Sequence, residues 1–324
     1  GFIDGSIVAI ALPDMRESLG ASLPQAQWIS NAYMLTLSAL VLVGGAMGDR
    51  YGVARIFGGG IALFVAASVA CALAPEPNSL ILARAIQGVG AAFMVPGSLA
   101  IIARAYPQGE RGRAIGIWAA ASAVTTALGP IAGGLLLSFG PEGAWRLIFA
   151  VNLPLGGIVI WILATRIARD PPTPTAGVDL PGGVLATLGL GLIAFALTGA
   201  EHGAAGTMQE ALIGATGLGV LMIFLMWEAR ATHPMIHLGL FRKPGFSAAN
   251  IATFFLYFSL SAVLFFLPMT VIAGWGVSEI ATTAAFVPLS VFIGGLSSRA
   301  GALADKVGAG PMISGGAAIV GLSY

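Results

Sequence analysis

The chain has 324 residues, of which 57% are hydrophobic and 9% charged, and its formal net charge is +1. A soluble domain carries roughly 25% charged residues, and a chain this apolar cannot cover itself with polar surface, which excludes an ordinary soluble enzyme. The near-neutral charge gives no basic face for nucleic acid, and the single cysteine, Cys71, excludes a disulfide framework or a thiolate metal site.

A helix that crosses a bilayer needs about 20 apolar residues. Apolar runs between charged or Pro/Gly punctuation predict spans at 1–13, 27–48, 54–74, 79–103, 112–138, 145–165, 180–199, 211–228, 246–272, 281–303 and 309–324. That gives about eleven helices by this length criterion. The first run ends at Pro13 and the last continues to Tyr324, so both are read as partial spans of a longer chain. No basic stretch precedes the first run and no small-residue cleavage site follows it, which argues against a signal peptide. Lipid tolerates no unpaired backbone, and the runs lack the short alternating pattern of a barrel. The expected class is therefore an all-α polytopic membrane protein.

The loops alternate in basic charge. One side holds Arg50, Arg55, Arg104, Arg111, Arg113, Arg166, Arg169, Arg230, Arg242, Lys243, Arg299 and Lys306. The other side holds Arg16 and Arg146, and Arg84 lies inside a span. The positive-inside rule places the richer side, and with it the N-terminus, in the cytoplasm.

A repeat marks two of these cytoplasmic loops. Gly45-Ala46-Met47-Gly48-Asp49-Arg50-Tyr51-Gly52 ends the second span, and Gly301-Ala302-Leu303-Ala304-Asp305-Lys306-Val307-Gly308 ends the tenth. Asp49 and Asp305 stand at the C-terminal ends of their own helices, where the macrodipole disfavours an anion. Each is expected to find a basic side chain or the N-terminus of a neighbouring helix, and the glycine one turn earlier lets that neighbour come close. Parallel repeats are a known transporter plan.

The first copy resembles the loop 2–3 signature of the major facilitator superfamily, and other segments resemble its fourteen-span drug:proton antiporter branch, the EmrB/QacA type. The residues that carry this are Asp4 through Pro13, Trp28 through Tyr33, Arg84-Ala85-Ile86-Gln87-Gly88-Val89-Gly90, Gly129-Pro130-Ile131-Ala132-Gly133-Gly134, Trp145 through Phe149 with Asn152 through Gly156, and Leu240-Phe241-Arg242 with Phe246. The two repeat copies lie eight spans apart, where a twelve-span transporter would separate them by six. The resemblance thus implies a major facilitator fold with about eleven of a probable fourteen helices present. It implies a six-helix bundle over 1–165, a cytoplasmic linker with two inserted helices over 166–245, and the start of a second bundle over 246–324. Val53 and Ala54 depart from the family pattern, which often has another basic residue there.

Asp4 is the leading chemical candidate. It precedes Pro13 by about 14 Å of helix rise, near the bilayer midplane, and an intramembrane carboxylate is a functional hypothesis by default. A proton or a cationic substrate can cancel its charge, but not both, which is the simplest form of antiport. The alternative is an ion pair that merely holds helices together. Arg84 either snorkels to the outer surface or, as the resemblance implies, tunes or relays to Asp4. Gln87 lies one turn further along the same face. Gly129, Pro130, Gly133 and Gly134 are either a packing kink or, by the resemblance, an occluding hinge that favours exchange. Asp49, Arg50 and Arg55, with the motif glycines Gly45 and Gly52, resemble a cytoplasmic latch. Asp305 and Lys306 with Gly301 should by symmetry meet the start of span five near Arg111, Gly112 and Arg113. Asn31, Tyr33, Gln87, Trp118 and Phe255 are candidates to line a substrate pocket.

His233-x-x-x-His237 has zinc spacing, but Pro234 intervenes and no carboxylate or thiolate completes a set. Gly88-Val89-Gly90 follows no strand and lacks the third glycine of a dinucleotide loop. No Walker sequence is present, and no His, Asp or Ser cluster suggests a membrane-embedded enzyme. The expectation is a transporter with no cofactor, driven by the proton gradient. Its partners are a small-molecule substrate, protons and the lipid bilayer, with any periplasmic adaptor unspecified. It would sit in the bacterial inner membrane and export hydrophobic or cationic drugs. A proton-coupled carrier of one metabolite is the alternative.

Overall fold

A computed structural model describes residues 2–141, 143–166, 179–198, 203–232, 234–275 and 287–323. The described elements are α-helices and one short 3-10 turn. They are α1 (Phe2–Leu19), α2 (Leu23–Tyr51), α3 (Val53–Ala72), α4 (Pro77–Ala105), α5 (Arg111–Phe139), α6 (Trp145–Ala150), α7 (Asn152–Arg166), α8 (Leu180–Thr198), α9 (Gly203–Glu228), the turn Leu238–Arg242, α10 (Pro244–Trp275), α11 (Val287–Val307) and α12 (Ala309–Ser323). Each predicted apolar run coincides with a helix. Within the run 281–303, residues 281–286 lie outside the described residues. Among the described residues, five helical stretches, Trp145–Arg166 being one, are long and apolar enough to cross a membrane, and Pro181–Leu197 and Ala309–Leu322 are shorter apolar helices. Their large side chains point outward in number: Leu197 is 75% exposed and Met222 62%. Such a surface suits hydrocarbon and not water.

Two boundaries differ from the sequence reading. Helix α1 does not stop at Pro13 but runs on to Leu19. Proline removes one hydrogen bond from the helix without forbidding it, and Met15, one turn from Ala11, is fully buried and packs into the core. The span 145–165 is divided at Val151, which nevertheless keeps helical dihedrals and donates to the Leu147 carbonyl at 3.1 Å. Pro154 lacks the N–H that would reach the Ala150 carbonyl, so one rung is missing from a continuous span.

The chain forms two compact units. The first comprises Gly1–Ile101 and Leu128–Ile236. Its core joins Ile7, Val8 and Ala11 of α1 to Ile29 of α2, Leu80 of α4 and the Trp145–Phe149 face of α6. Lipid supplies no hydrophobic drive between helices, so close approach of backbones does the work. A Cβ on Gly44 would overlap the Ala92 carbonyl, and one on Gly88 would overlap the Tyr33 carbonyl, so α2 and α4 touch along their backbones. Arg146 closes the C-terminal end of α3: its Nη1 donates to the carbonyls of Ala72 and Ala74 at 2.8 Å each, and its guanidinium lies 4.4 Å from the Trp145 ring. A cation at a helix C-terminus also suits the macrodipole.

Helices α8 and α9 form an antiparallel pair that packs through α8 on α2. Two buried carboxylates fasten its open end. Asp179 accepts the Gly182 N–H, capping α8, and accepts the Trp227 Nε1–H of α9 at 2.9 Å. Glu228 accepts the backbone N–H groups of Met235 and Ile236 at 3.3 and 3.1 Å, folding the following strand of chain back on the end of α9.

The second unit comprises Ile102–Ala127 and His237–Tyr324. Its α5 and α11 meet at glycines: a Cβ on Gly116 would overlap the Ser297 carbonyl, and one on Gly301 the Gly112 carbonyl.

Candidate functional site

The first unit encloses a polar cluster in an apolar interior. Asp4 comes from α1, Ser68 from α3, Arg84 and Gln87 from α4 and Asn152 from α7. Asp4 and Arg84 are each 1% exposed, so Arg84 turns inward rather than snorkelling. Arg84 Nη1 donates to Asp4 Oδ2 at 2.5 Å and to Gln87 Oε1 at 2.6 Å. Its Nε donates to the Ile29 carbonyl of α2 at 3.0 Å. Its guanidinium carbon lies 4.3 Å from the centre of the Tyr33 ring and 5.9 Å from that of Phe149.

The other carboxylate oxygen is held by two amides. Gln87 Nε2 donates to Asp4 Oδ1 at 3.0 Å and to Ser68 Oγ at 2.9 Å. Asn152 Nδ2 donates to the same two oxygens at 3.0 and 3.2 Å. Ser68 Oγ–H donates to the Phe64 carbonyl at 2.8 Å. The Cys71 thiol reaches Gln87 Oε1 at 3.8 Å.

A buried charge is tolerated only when paired and hydrogen-bonded. Both conditions hold here, and removing one partner of such a pair costs ~3–5 kcal/mol. The two charges are not held equally. Asp4 depends on its neighbours for every bond, whereas Arg84 is also anchored by Ile29, Gln87 and the Tyr33 face. Arg84 therefore has anchors that do not depend on Asp4.

The repeat motif has an equally definite geometry in the second unit. Asp305 accepts the Gly112 N–H at 2.9 Å and the Arg113 N–H at 3.0 Å, so its carboxylate caps the first turn of α5. The macrodipole that disfavours Asp305 on α11 favours it at the start of α5. A Cβ on Gly112 would overlap both the Asp305 carboxylate and the Gly301 carbonyl. The closing glycines of the two copies share a left-handed backbone, with φ +98° at Gly52 and +95° at Gly308, where a side chain would be strained. In the first copy, exposed Asp49 lines a cavity of about 160 Å³ with Gly44, Gly45, Gly48, Pro96 and Gly97. The tightest helix approach there is made by Gly44 and not by the motif residue Gly45, whose Cβ would find only ordinary contact with Pro96.

Of the remaining candidates, Tyr33 is buried and belongs to the Arg84 cluster. Gln87 is fully buried, with both polar atoms engaged there. Asn31 and Trp118 are half-buried on α2 and α5, and Phe255 on α10 is 62% exposed. Gly129 is buried, Gly133 faces Ile7 of α1, and Gly134 has open space where a side chain would stand. The Pro130 ring and His233 lie outside the described residues. Sequence reasoning missed Ser68 and Asn152 as partners of Asp4. Their only signal is a small polar residue within an apolar run.

Long apolar helices with a charged pair sealed among them mark an all-α polytopic membrane protein. The chain belongs to the Major Facilitator Superfamily, whose family profile matches residues 1–324. It is 34% identical over 295 residues to the methylenomycin A resistance protein of Bacillus subtilis (strain 168), covering 90% of this chain and 62% of that protein. It is 36% identical over 328 residues to the cephamycin export protein CmcT of Amycolatopsis lactamdurans, covering 99% of this chain and 66% of the relative. The multidrug resistance protein Stp of Mycobacterium tuberculosis (strain CDC 1551 / Oshkosh) is 30% identical, with 97% and 58% covered. The chain thus spans about 60% of the length of these curated relatives. Among solved structures, the proton:xylose symporter XylE aligns with a TM-score of 0.59 at 14% identity, over 96% of this chain and 67% of that one, a likeness of fold.

Proposed function

We propose that the chain is the larger part of a proton-coupled exporter of hydrophobic or cationic compounds, working by alternating access. The buried Asp4–Arg84 pair carries this reading. A carboxylate isolated from water, with its counter-ion independently anchored, is a group whose charge can be cancelled by either a proton or a cation. Arg84 tunes that competition. Each proton moved down 100 mV supplies about 2.3 kcal/mol, so the gradient serves as energy source and no cofactor is required. Relatives named for resistance and export support the outward direction.

In this reading the whole protein is of the fourteen-span EmrB/QacA type and extends beyond this chain. Residues 1–165 belong to an N-terminal six-helix bundle, 166–245 carry the linker and two inserted spans, and 246–324 begin the C-terminal bundle. The protein lies in the bacterial inner membrane with its N-terminus cytoplasmic, as the distribution of basic loops supports. Asp49 with Arg50, and Asp305 with Lys306, are cytoplasmic latches. Gly129 through Gly134 form the occluding hinge, and Asn31, Trp118 and Phe255 face the transport path. The test is uphill efflux of a lipophilic cationic dye from proteoliposomes of the full-length protein. Asp4→Asn should abolish the response to a pH gradient while leaving membrane insertion intact.

A second reading, export of one defined antibiotic, is favoured by two relatives whose names specify methylenomycin A and cephamycin. A competition panel separates the two: broad competition means multidrug export, and inhibition by a single compound class means a dedicated exporter.

A further inference from the structure

The arrangement around Asp4 distinguishes its two oxygens. Gln87 Nε2 and Asn152 Nδ2 each bridge Asp4 Oδ1 and Ser68 Oγ, closing a four-atom ring of hydrogen bonds. A carboxylate oxygen has two lone-pair directions, and both directions on Oδ1 are taken by amides. Ser68 is equally full, since it accepts from both amides and donates to Phe64. Among the described residues Oδ2 accepts only from Arg84, which leaves it one lone-pair direction. The Gln87 orientation is fixed independently, because its Oε1 faces Arg84 Nη1. The Asn152 orientation follows from two acceptors on its Nδ2.

We propose that Asn152 is a positioning residue of the proton site: with Gln87 and Ser68 it closes Asp4 Oδ1 and leaves Oδ2 as the atom that takes the proton. The proton arrives from water, adds to the open lone pair of Oδ2 and weakens the bond from Arg84, while Oδ1 becomes a carbonyl that still accepts both amides. The amide of Asn152 holds Oδ1 and so fixes which oxygen remains for the proton. The other charged or titratable groups facing Asp4 among the described residues are Arg84 on α4, Tyr33 on α2 and Cys71 on α3. Helices α6 and α7 contribute none, so Asn152 acts there as a dipole alone.

This inference rests on the reading of Asp4 as the proton site, and its test separates the two. The measurement is infrared difference spectroscopy across a pH titration of the full-length protein in phospholipid vesicles. The carboxylic-acid band that is lost in Asp4→Asn belongs to Asp4. In Asn152→Leu that band should move to higher wavenumber, because Oδ1 accepts one bond fewer. Asn152→Gln, which keeps the amide donor, should restore part of that change. Asn152→Ser, whose hydroxyl is too short to reach Asp4, should repeat the Leu result should the Leu variant fail to insert. An unmoved band overturns the role of Asn152 alone. A spectrum with no Asp4-dependent band at any pH overturns the proton-site reading itself.

Discussion

Asp305→Asn gives the sharpest test of the repeat motif, because the variant keeps the shape of the side chain and removes its charge. In the native protein both carboxylate oxygens accept backbone N–H groups, from Gly112 at 2.9 Å and Arg113 at 3.0 Å. Asparagine offers one acceptor oxygen, and its NH2 group then faces an N–H that it cannot satisfy. The loss is one charge-assisted hydrogen bond and the favourable charge at the start of α5, each discounted because this end of the helix is partly exposed. The sum is about 1.5 kcal/mol, or roughly tenfold in the equilibrium between closed and parted helices. Ser298 is suited to report that parting, since it lies on α11 where a Cβ on Gly116 would touch its Cα. Cys71 is fully buried and gives little background in this chain. Maleimide labelling of a Ser298→Cys protein should therefore speed up about tenfold when Asp305→Asn is added. Gly301→Ala, which drives a methyl group into the Gly112 carbonyl, should have at least as large an effect. An unchanged labelling rate in Asp305→Asn would refute the view that the carboxylate holds the two helices together.

Three further outcomes follow from the first unit. Tyr33→Phe should leave the melting temperature of the purified protein within experimental scatter, because the ring face toward Arg84 is retained. Tyr33→Leu should cost about 2 kcal/mol through loss of a desolvated cation–π contact. Glu228→Ala should leave the Met235 and Ile236 amides uncapped and cost about 1–3 kcal/mol locally, seen as faster proteolysis between 229 and 236 with the remaining cleavage pattern unchanged. Among the described residues the buried Trp145 Nε1–H has no hydrogen-bond partner, so Trp145→Phe should lie within about 1 kcal/mol of the parent in thermal unfolding. A large loss there would mean that the indole N–H does bond in the working protein.

Much of this site was legible because charge is rare in the chain. A carboxylate and a guanidinium placed inside apolar runs had few reasons to exist except each other, and Gln87 followed from helical spacing. The pairing of Asp305 with the start of α5 was legible for a similar reason: an anion at the wrong end of its own helix needs another dipole. Ser68 and Asn152 carry no such signal. A serine in a membrane helix usually donates its O–H to a carbonyl of its own turn, as Ser68 does with Phe64, and nothing local reveals what its lone pairs accept. The choice of Gly44 over Gly45 as the point of closest approach depends on how α2 is rotated against α4, which spacing within one helix does not define. Pro13 marked a plausible helix end, but the packing of Met15 outweighs one missing backbone bond.

The proposed function has Asp4 exchange a proton for substrate. It is tested most directly by comparing the parent protein with Asp4→Asn in proteoliposomes, reading dye exchange at equal pH and uphill efflux under an imposed pH gradient. If Asp4 is the coupling carboxylate, the variant keeps insertion, loses uphill efflux and shows exchange that no longer depends on pH. Uphill efflux by Asp4→Asn at the parental rate would contradict the account, leaving the Asp4–Arg84 pair as a structural tie between α1 and α4.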